Sequence, residues 1–419
     1  MQNIKKVIQV EEKVPISLLI PLSIQHMFAM FGASVLVPFL FNINPAIVLF
    51  MNGIGTLIFI FITKGKAPAY LGSSFAFLAP GIAVIEKFGY SYALGGFIVT
   101  GLLGCIISFI VYKFGSKWID IVLPPAAMGP VVALIGLELA ETAASNAGLI
   151  VESGNIIPYQ NIIIFIVTIC SAIFGSILFK GFLSTIPILI SIISGYITAI
   201  ILKTIDFSSI TNAPFFSIPN FSTPKFNIEA IIMILPVILV IISEHIGHQL
   251  VTGKIIGKNL IKDPGLHRSL FADNFSTMIS GFIGSVPTTT YGENIGVMAI
   301  TKVYSVRVIA GAAILSIICS FLGKISAIIN TIPGSVIGGI SFLLYGMIGT
   351  SGIRVLVDSK VDFNQPKNLI LTSIIFVIGL SRITINIGSI ELKGMILSCI
   401  IGMILSSIIY IFEKFKIID

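Results

Sequence analysis

Apolar runs long enough to cross a membrane, cut by short polar or Gly/Pro-containing breaks, recur along the whole chain. They fall near 15–41, 45–63, 68–86, 90–113, 118–141, 160–180, 183–203, 228–252, 268–286, 287–302, 303–325, 327–353, 366–383 and 391–415. A hydrocarbon core about 30 Å thick takes roughly 20 apolar residues per helix, so the pattern predicts an all-α polytopic membrane protein of about fourteen spans. Two spans differ from the rest. PAYLGSSFAFLAPG in the third and PTTTYGENIGVMAIT in the tenth are short, interrupted by Gly or Pro and mixed with polar residues. Each reads as a half-helix preceded by an extended stretch, Leu71 to Ser74 and Thr289 to Tyr291. Backbone groups at membrane depth must be paired, and these two stretches are placed to pair with each other.

Composition agrees. Of 419 residues, 56% are hydrophobic and only 10% charged, against about 25% charged in an ordinary soluble domain; the mean hydropathy is +1.06. A soluble enzyme is excluded. The net charge of +7 does not point to nucleic acid, because the basic residues stand singly or in twos and threes between apolar runs. With fourteen spans and a cytoplasmic N-terminus, 19 of the 25 Lys and Arg residues fall on the cytoplasmic side; Lys87, Lys203, Lys225, Lys324, Arg382 and Lys393 fall opposite. That asymmetry is the positive-inside rule, and it places both termini in the cytoplasm of a multi-pass protein of the cell membrane. Residues 1–14 lack an apolar stretch and read as a cytoplasmic tail, not a signal peptide. Cys105, Cys170, Cys319 and Cys399 lie far apart inside apolar segments and read as free buried thiols.

The unusual residues recur in register. Gln25-His26 in span one precedes Gly72 by 47 residues, and Glu244-His245 in span eight precedes Gly292 by 48; Pro124-Pro125 and Pro333-Gly334 follow in spans five and twelve. This predicts a duplication, 15–203 and 228–419, joined by a Ser/Thr/Asn/Pro-rich linker at 204–227 that reads as a hinge. Seven spans per copy is odd, so the copies are inverted and their broken helices meet near the midplane.

Ionisable side chains deep in a span cost roughly 2.5–3.5 kcal/mol and call for an explanation. Glu244 and His248 in ISEHIGHQL stand four apart on one helical face, and Glu293 follows Gly292 at the start of a half-helix. The plain alternative is that Glu244 and His248 only satisfy one another as a clamp. A zinc site is disfavoured: HExxH places its histidines four apart around the Glu, whereas here they are three apart and the Glu precedes both. His26 reads as a neutral histidine hydrogen-bonded between helices. Half-helix N-termini at Phe75-Ala76-Phe77 and Gly292-Glu293-Asn294 offer unpaired N–H groups. Backbone donors beside two carboxylate acceptors suit a small, flat, neutral molecule carrying both C=O and N–H groups, and suit an inorganic anion poorly.

SLLIPLSIQHMFAMFGASVLVP, PAYLGSSFAF, SEHIGH, TTYGENIGVMAITKVYS and DPGLHRS resemble the nucleobase–ascorbate transporter family, and within it the bacterial uracil–proton symporters, over about Pro15 to Lys416. The resemblance implies 7+7 inverted repeats divided into a core domain (15–113 plus 228–325) and a gate domain (118–203 plus 327–415). It implies that Glu244 and Glu293 hydrogen-bond the base, that Phe75 and Gly292 contribute backbone groups, that Ala33, Tyr291 and Tyr345 line the pocket, and that His248 takes part in proton coupling. Purine and urate members tend to carry Gln where this chain has Glu293, which favours uracil. No cofactor is implied beyond the coupling proton; the expected partners are uracil, protons, the bilayer and a second copy through the gate domain, with no nucleic acid. The competing readings are a symporter for xanthine, urate or another purine, an anion transporter of the same fold, and an intramembrane metalloprotease.

Overall fold

The computed structural model describes residues 7–150, 156–387 and 390–416. Along the first half run α1 (Ile16–Ala29), α2 (Phe31–Leu40), α3 (Pro45–Ile62), β1 (Leu71–Ser73), α4 (Leu78–Phe88), α5 (Tyr90–Phe114), α6 (Lys117–Val122), α7 (Pro125–Leu137), α8 (Ala140–Asn146), α9 (Tyr159–Leu178) and α10 (Pro187–Ile201). The short α11 (Ser208–Asn212) leads to α12 (Ile228–Ile234), α13 (Val237–Ile256), α14 (Leu266–Ile283), β2 (Thr288–Thr290), α15 (Gly292–Thr301) and α16 (Val306–Ser320). Then come α17 (Gly323–Asn330), α18 (Gly334–Asp358), α19 (Pro366–Leu380), β3 (Thr384–Ile387), β4 (Ile390–Lys393) and α20 (Gly394–Lys414).

Among the described residues eight helical segments are long and apolar enough to cross a membrane, counting 16–40, 125–146 and 228–256 as continuous, and three shorter apolar helices accompany them (187–201, 306–320, 366–380). Packing falls into two sets. In one, α5 lies against α14 and α12, and α3 against α16 and α14, with α1 on α16; in the other, α18 packs on α7, α8 and α9, α10 on α9, and α19 on α7 and α20. Contacts between the sets are sparser and involve α2 with α10 and α18, and α13 with α7 and α20.

The interrupted helices form as their Gly and polar content predicts. β1 pairs antiparallel with β2 in the register Leu71↔Thr290, Gly72↔Thr289, Ser73↔Thr288, giving each strand backbone partners at membrane depth. Several expectations need correction. Span twelve is two helices, because Pro333 has no N–H to continue the ladder from α17; Pro124 divides span five between α6 and α7 in the same way. The start of the last span is a β-hairpin, β3 with β4, whose alternating TINI and IELK pattern is a strand signal.

The stretch 204–227 is not a free hinge. It carries α11, Lys324 Nζ donates to the Ile210 and Thr211 carbonyls at 2.6 and 2.9 Å, and backbone bonds tie Ser217 to Phe321, Gly323 to Phe215 and Lys225 to Ser91. Nor is the N-terminus wholly a tail, since residues 8–12 lie along 302–306. Cys105 and Cys399 are buried free thiols, whereas Cys170 and Cys319 are free but half-buried. Lys5 and Lys6, two of the basic residues expected on the cytoplasmic side, lie outside the described residues.

Candidate functional site

The β1–β2 ribbon is held at its edges by helix side chains. On the β1 side, Thr56 Oγ1 of α3 accepts from Leu71 N at 2.9 Å and donates to the Asn52 carbonyl at 2.6 Å. On the β2 side, Asp273 Oδ1 of α14 accepts from Thr290 N at 3.0 Å, Thr289 Oγ1 donates to Asp273 Oδ2 at 3.3 Å, and Thr277 Oγ1 donates to the Thr288 carbonyl at 2.7 Å. Helix α14 can do this because Ser269, Asp273, Ser276, Thr277 and Ser280 recur at helical spacing on one buried face. Asp273 was missed by the sequence reading. A carboxylate inside an apolar span was itself the signal, reinforced by that stripe of hydroxyl residues.

Around the ribbon stand the residues singled out from the sequence. The Phe75 ring lies 6.2 Å from that of Tyr291 and 6.4 Å, edge-on, from that of Tyr345. Tyr291 donates its hydroxyl to the Ser73 carbonyl at 3.1 Å. Its ring can pass over the ribbon because Gly72 has no side chain: a Cβ there would lie 2.6 Å from the ring and 3.2 Å from Met30. Ala33, 3% exposed, belongs to the same apolar cluster as Tyr291 and Phe75.

Helix α13 brings the ionisable groups. Glu244 lies one turn before His248 on α13, and its Oε2 is buried without a hydrogen-bond partner. The Glu244–His248 clamp is not formed: His248 Nδ1 bonds Thr290 Oγ1 at 3.1 Å, and its Nε2 would lie 3.5 Å from a Cβ on Gly292. His245, buried, has Nδ1 at 3.4 Å from Thr290 Oγ1 and 3.7 Å from Asp273. His26 bridges helices as expected, with the Asn294 amide 2.7 Å from its Nδ1.

Gly292 is exposed, and Phe75, Glu244, His248 and Glu293 are part-exposed amid buried neighbours such as Ala76, His245, Tyr291 and Asn294. They therefore border accessible space. The Tyr345 hydroxyl and the Ser73 and Ser74 hydroxyls are buried with no partner. Buried polar atoms left unpaired are costly, and Ser73 and Ser74 stand directly before the first half-helix. Among the described residues no cluster of three His, Cys, Asp or Glu is placed to hold a metal ion.

The sequence profile Xan_ur_permease, described as a permease family, matches residues 18–388. The chain is 56% identical to the uracil permease of Escherichia coli K12 over 96% of this chain and 94% of that one. It is 52% identical to the uracil permease of Paenibacillus larvae, covering 98% of each chain, and 44% identical to that of Bacillus caldolyticus, covering 97% and 95%. Two solved structures share the fold at low identity. The transmembrane domain of the cyanobacterial bicarbonate transporter BicA has a TM-score of 0.65 at 12% identity, covering 95% of this chain and all of that one. The murine anion transporter Slc26a9 has a TM-score of 0.70 at 11% identity, covering 96% and 69%. With its interrupted-helix ribbon, its paired carboxylates and near-complete coverage by these relatives, the chain belongs to the permease family, among the bacterial uracil permeases of the nucleobase–ascorbate transporters, whose members are transporters and not enzymes.

Proposed function

We propose that the protein imports uracil across the cytoplasmic membrane by proton symport. The observation that carries this is the carboxylate pair, Glu244 with an unpartnered Oε2 and Glu293 on the first turn of α15, facing space beside two half-helix N-termini. A carboxylate accepts and does not donate. Uracil presents ring N–H groups to such acceptors and carbonyl oxygens to the first N–H groups of the half-helices, at Phe75 and Gly292. Tyr291, Tyr345 and Ala33 give the flat ring its walls.

The transport cycle follows from the fold proposal: fourteen spans in 7+7 inverted repeats, with a core domain (15–113 plus 228–325) rocking against a gate domain (118–203 plus 327–415) in alternating access, both termini cytoplasmic. His248 relays the coupling proton, with Thr290 as its hydrogen-bond partner and Glu244 one turn away. A homodimer through the gate domain is part of this reading. It is supported by the large outward apolar faces of α9 and α20, which are 22% and 33% buried over their most apolar stretches.

An anion transporter is the second reading, because BicA and Slc26a9 share the fold. Two carboxylates beside the half-helix ends argue against it, since like charges in a low-dielectric site repel strongly. Transport of xanthine or another purine differs in the shape of the guest and is decided by competition. The test is uptake of radiolabelled uracil into proteoliposomes with and without an inward proton gradient, with unlabelled xanthine, thymine and bicarbonate as competitors. Concentrative uptake that requires the gradient and is blocked by pyrimidines alone supports the proposal; saturable bicarbonate transport, or none of uracil, overturns it. In the same liposomes His248→Ala is expected to keep uracil exchange and lose accumulation.

A further inference from the structure

The helix that carries Glu293 is only ten residues long. Its N-terminal end is fixed by the β1–β2 ribbon. Its other end is fixed by residues from the start of the chain. Lys302, the left-handed C-cap of α15 at φ 58°, accepts from Ile8 N at 3.0 Å; Tyr304 N then donates to the Ile8 carbonyl at 2.8 Å and Val306 N to the Val10 carbonyl at 3.0 Å. Ser305 Oγ donates to the Glu12 carbonyl at 2.9 Å. Residues 8–12 thus run alongside 302–306, and Ile8 and Val303 form a parallel bridge.

Side chains extend the attachment to α13. Val10 is 1% exposed and shares an apolar cluster with Ile256 of α13, Ile295 and Met298 of α15, Leu260 and Tyr304. Glu11 accepts from Lys258 Nζ at 2.5 Å, just past the C-terminus of α13. The two helices joined here, α13 and α15, are the ones that carry Glu244 and Glu293.

We infer that residues 8–12 are a positioning strap, which staples the ends of α13 and α15 remote from the ribbon and so sets how the two carboxylates face one substrate. This rests on the uracil reading given above. A carboxylate pair that must meet one flat ring tolerates little displacement, and a ten-residue helix held at one end only would pivot about its ribbon.

The test uses three proteins besides the parent: a deletion of residues 2–12, Val10→Ala, and Val10→Ile as the conservative replacement. Uracil counterflow is measured in proteoliposomes, with rates normalised to folded transporter, and hydrogen exchange of residues 292–306 is measured on the same preparations. The deletion is expected to raise KM about tenfold with the maximal rate near that of the parent, and to speed exchange across α15. Val10→Ala is expected to shift both in the same direction by a smaller factor, and Val10→Ile to restore them. Unchanged KM and unchanged exchange in α15 overturn the strap, as does a lower maximal rate with KM unaltered, because that reports slower turnover at a site that has not been displaced. Should the deletion fail to insert, Val10→Ala decides. Failure of the parent itself to exchange uracil counts against the substrate reading, and the exchange data then judge the strap alone.

Discussion

β1 runs into Phe75-Ala76-Phe77, and β2 runs into Gly292-Glu293-Asn294. The two turns sit on paired strands and open half-helices of similar length, although Gly72 lies within β1 opposite Thr289 and Gly292 opens the second turn itself. What they present differs. The first offers an aromatic ring and backbone donors. The second adds a carboxylate, has the His248 ring of α13 beside Gly292, and follows a strand held by the Asp273 carboxylate of α14. The corresponding long helix of the first half, α1, offers the uncharged side chains of Gln25 and His26, and these are engaged structurally, Gln25 with Thr185 at 2.8 Å and His26 with Asn294. A shared frame therefore carries an unequal load. The first arm supplies shape, and the second supplies the ionisable chemistry.

That inequality can be broken most severely at Glu244. Glu244→Gln turns one acceptor oxygen into a donor facing a substrate donor, and losing a charged hydrogen bond of about 3 kcal/mol corresponds to roughly a hundredfold loss of uracil affinity. Binding measured by ligand-induced thermal shift that matches the parent removes Glu244 from the site. Asp273→Ala comes next. It leaves Thr290 N–H without a partner inside the membrane, at a cost of about 1–3 kcal/mol, and is expected to lower the melting temperature in detergent. Asp273→Asn, which keeps an acceptor for Thr290, should recover most of the loss.

The glycines sharpen the comparison at lower cost. Gly72→Ala drives a methyl into the Tyr291 ring, an overpacking of about 1–3 kcal/mol, whereas a Cβ on Gly292 meets only His248 at ordinary contact distance. Thermal denaturation should therefore separate the two alanine variants, with Gly72→Ala lower and Gly292→Ala near the parent. Equal melting temperatures would mean that the arms are packed alike.

The smallest expected effect lies at the strap. The Glu11 carboxyl is held below its ordinary value by its hydrogen bond from Lys258. A depressed carboxylate contributes stability that is present above the unfolded value of about 4.5 and lost as pH falls through the folded one. The ion pair therefore persists across neutral pH and loosens only in acid below that value. For an exposed pair this is worth under about 1 kcal/mol, and Glu11→Gln should shift the melting temperature slightly at pH 7 and by progressively less as the pH is lowered into acid.

Much of this frame is legible in the sequence because membrane depth punishes polar groups. Interrupted apolar runs disclose β1 and β2, and Glu244, His248 and Glu293 stand out as ionisable residues away from the ends of their spans or at a helix break. Asp273 is less legible because it lies away from any helix break, and its work is to pair the outer edge of a strand that only the fold brings beside it. The pairing of β3 with β4 and the docking of residues 8–12 on 302–306 are not legible for a related reason. Alternation in a short segment signals a strand but does not name its partner, and which residues the segment pairs with is set by the tertiary fold. His248 shows the limit of helical spacing: four residues from Glu244 it is within reach, yet it turns to Thr290, a partner on another element.

Whether the second arm binds the base through its carboxylate is read by calorimetric titration of uracil into the purified parent and Glu293→Gln proteins. That substitution leaves the ribbon, the aromatic walls and the backbone donors in place and makes the second arm uncharged like the first. The account predicts saturable binding to the parent and affinity weakened about ten- to a hundredfold in Glu293→Gln, the equivalent of about 1.5–3 kcal/mol for a hydrogen bond to a charged group. Equal affinity in the two proteins would contradict it and leave recognition to the backbone donors common to both arms.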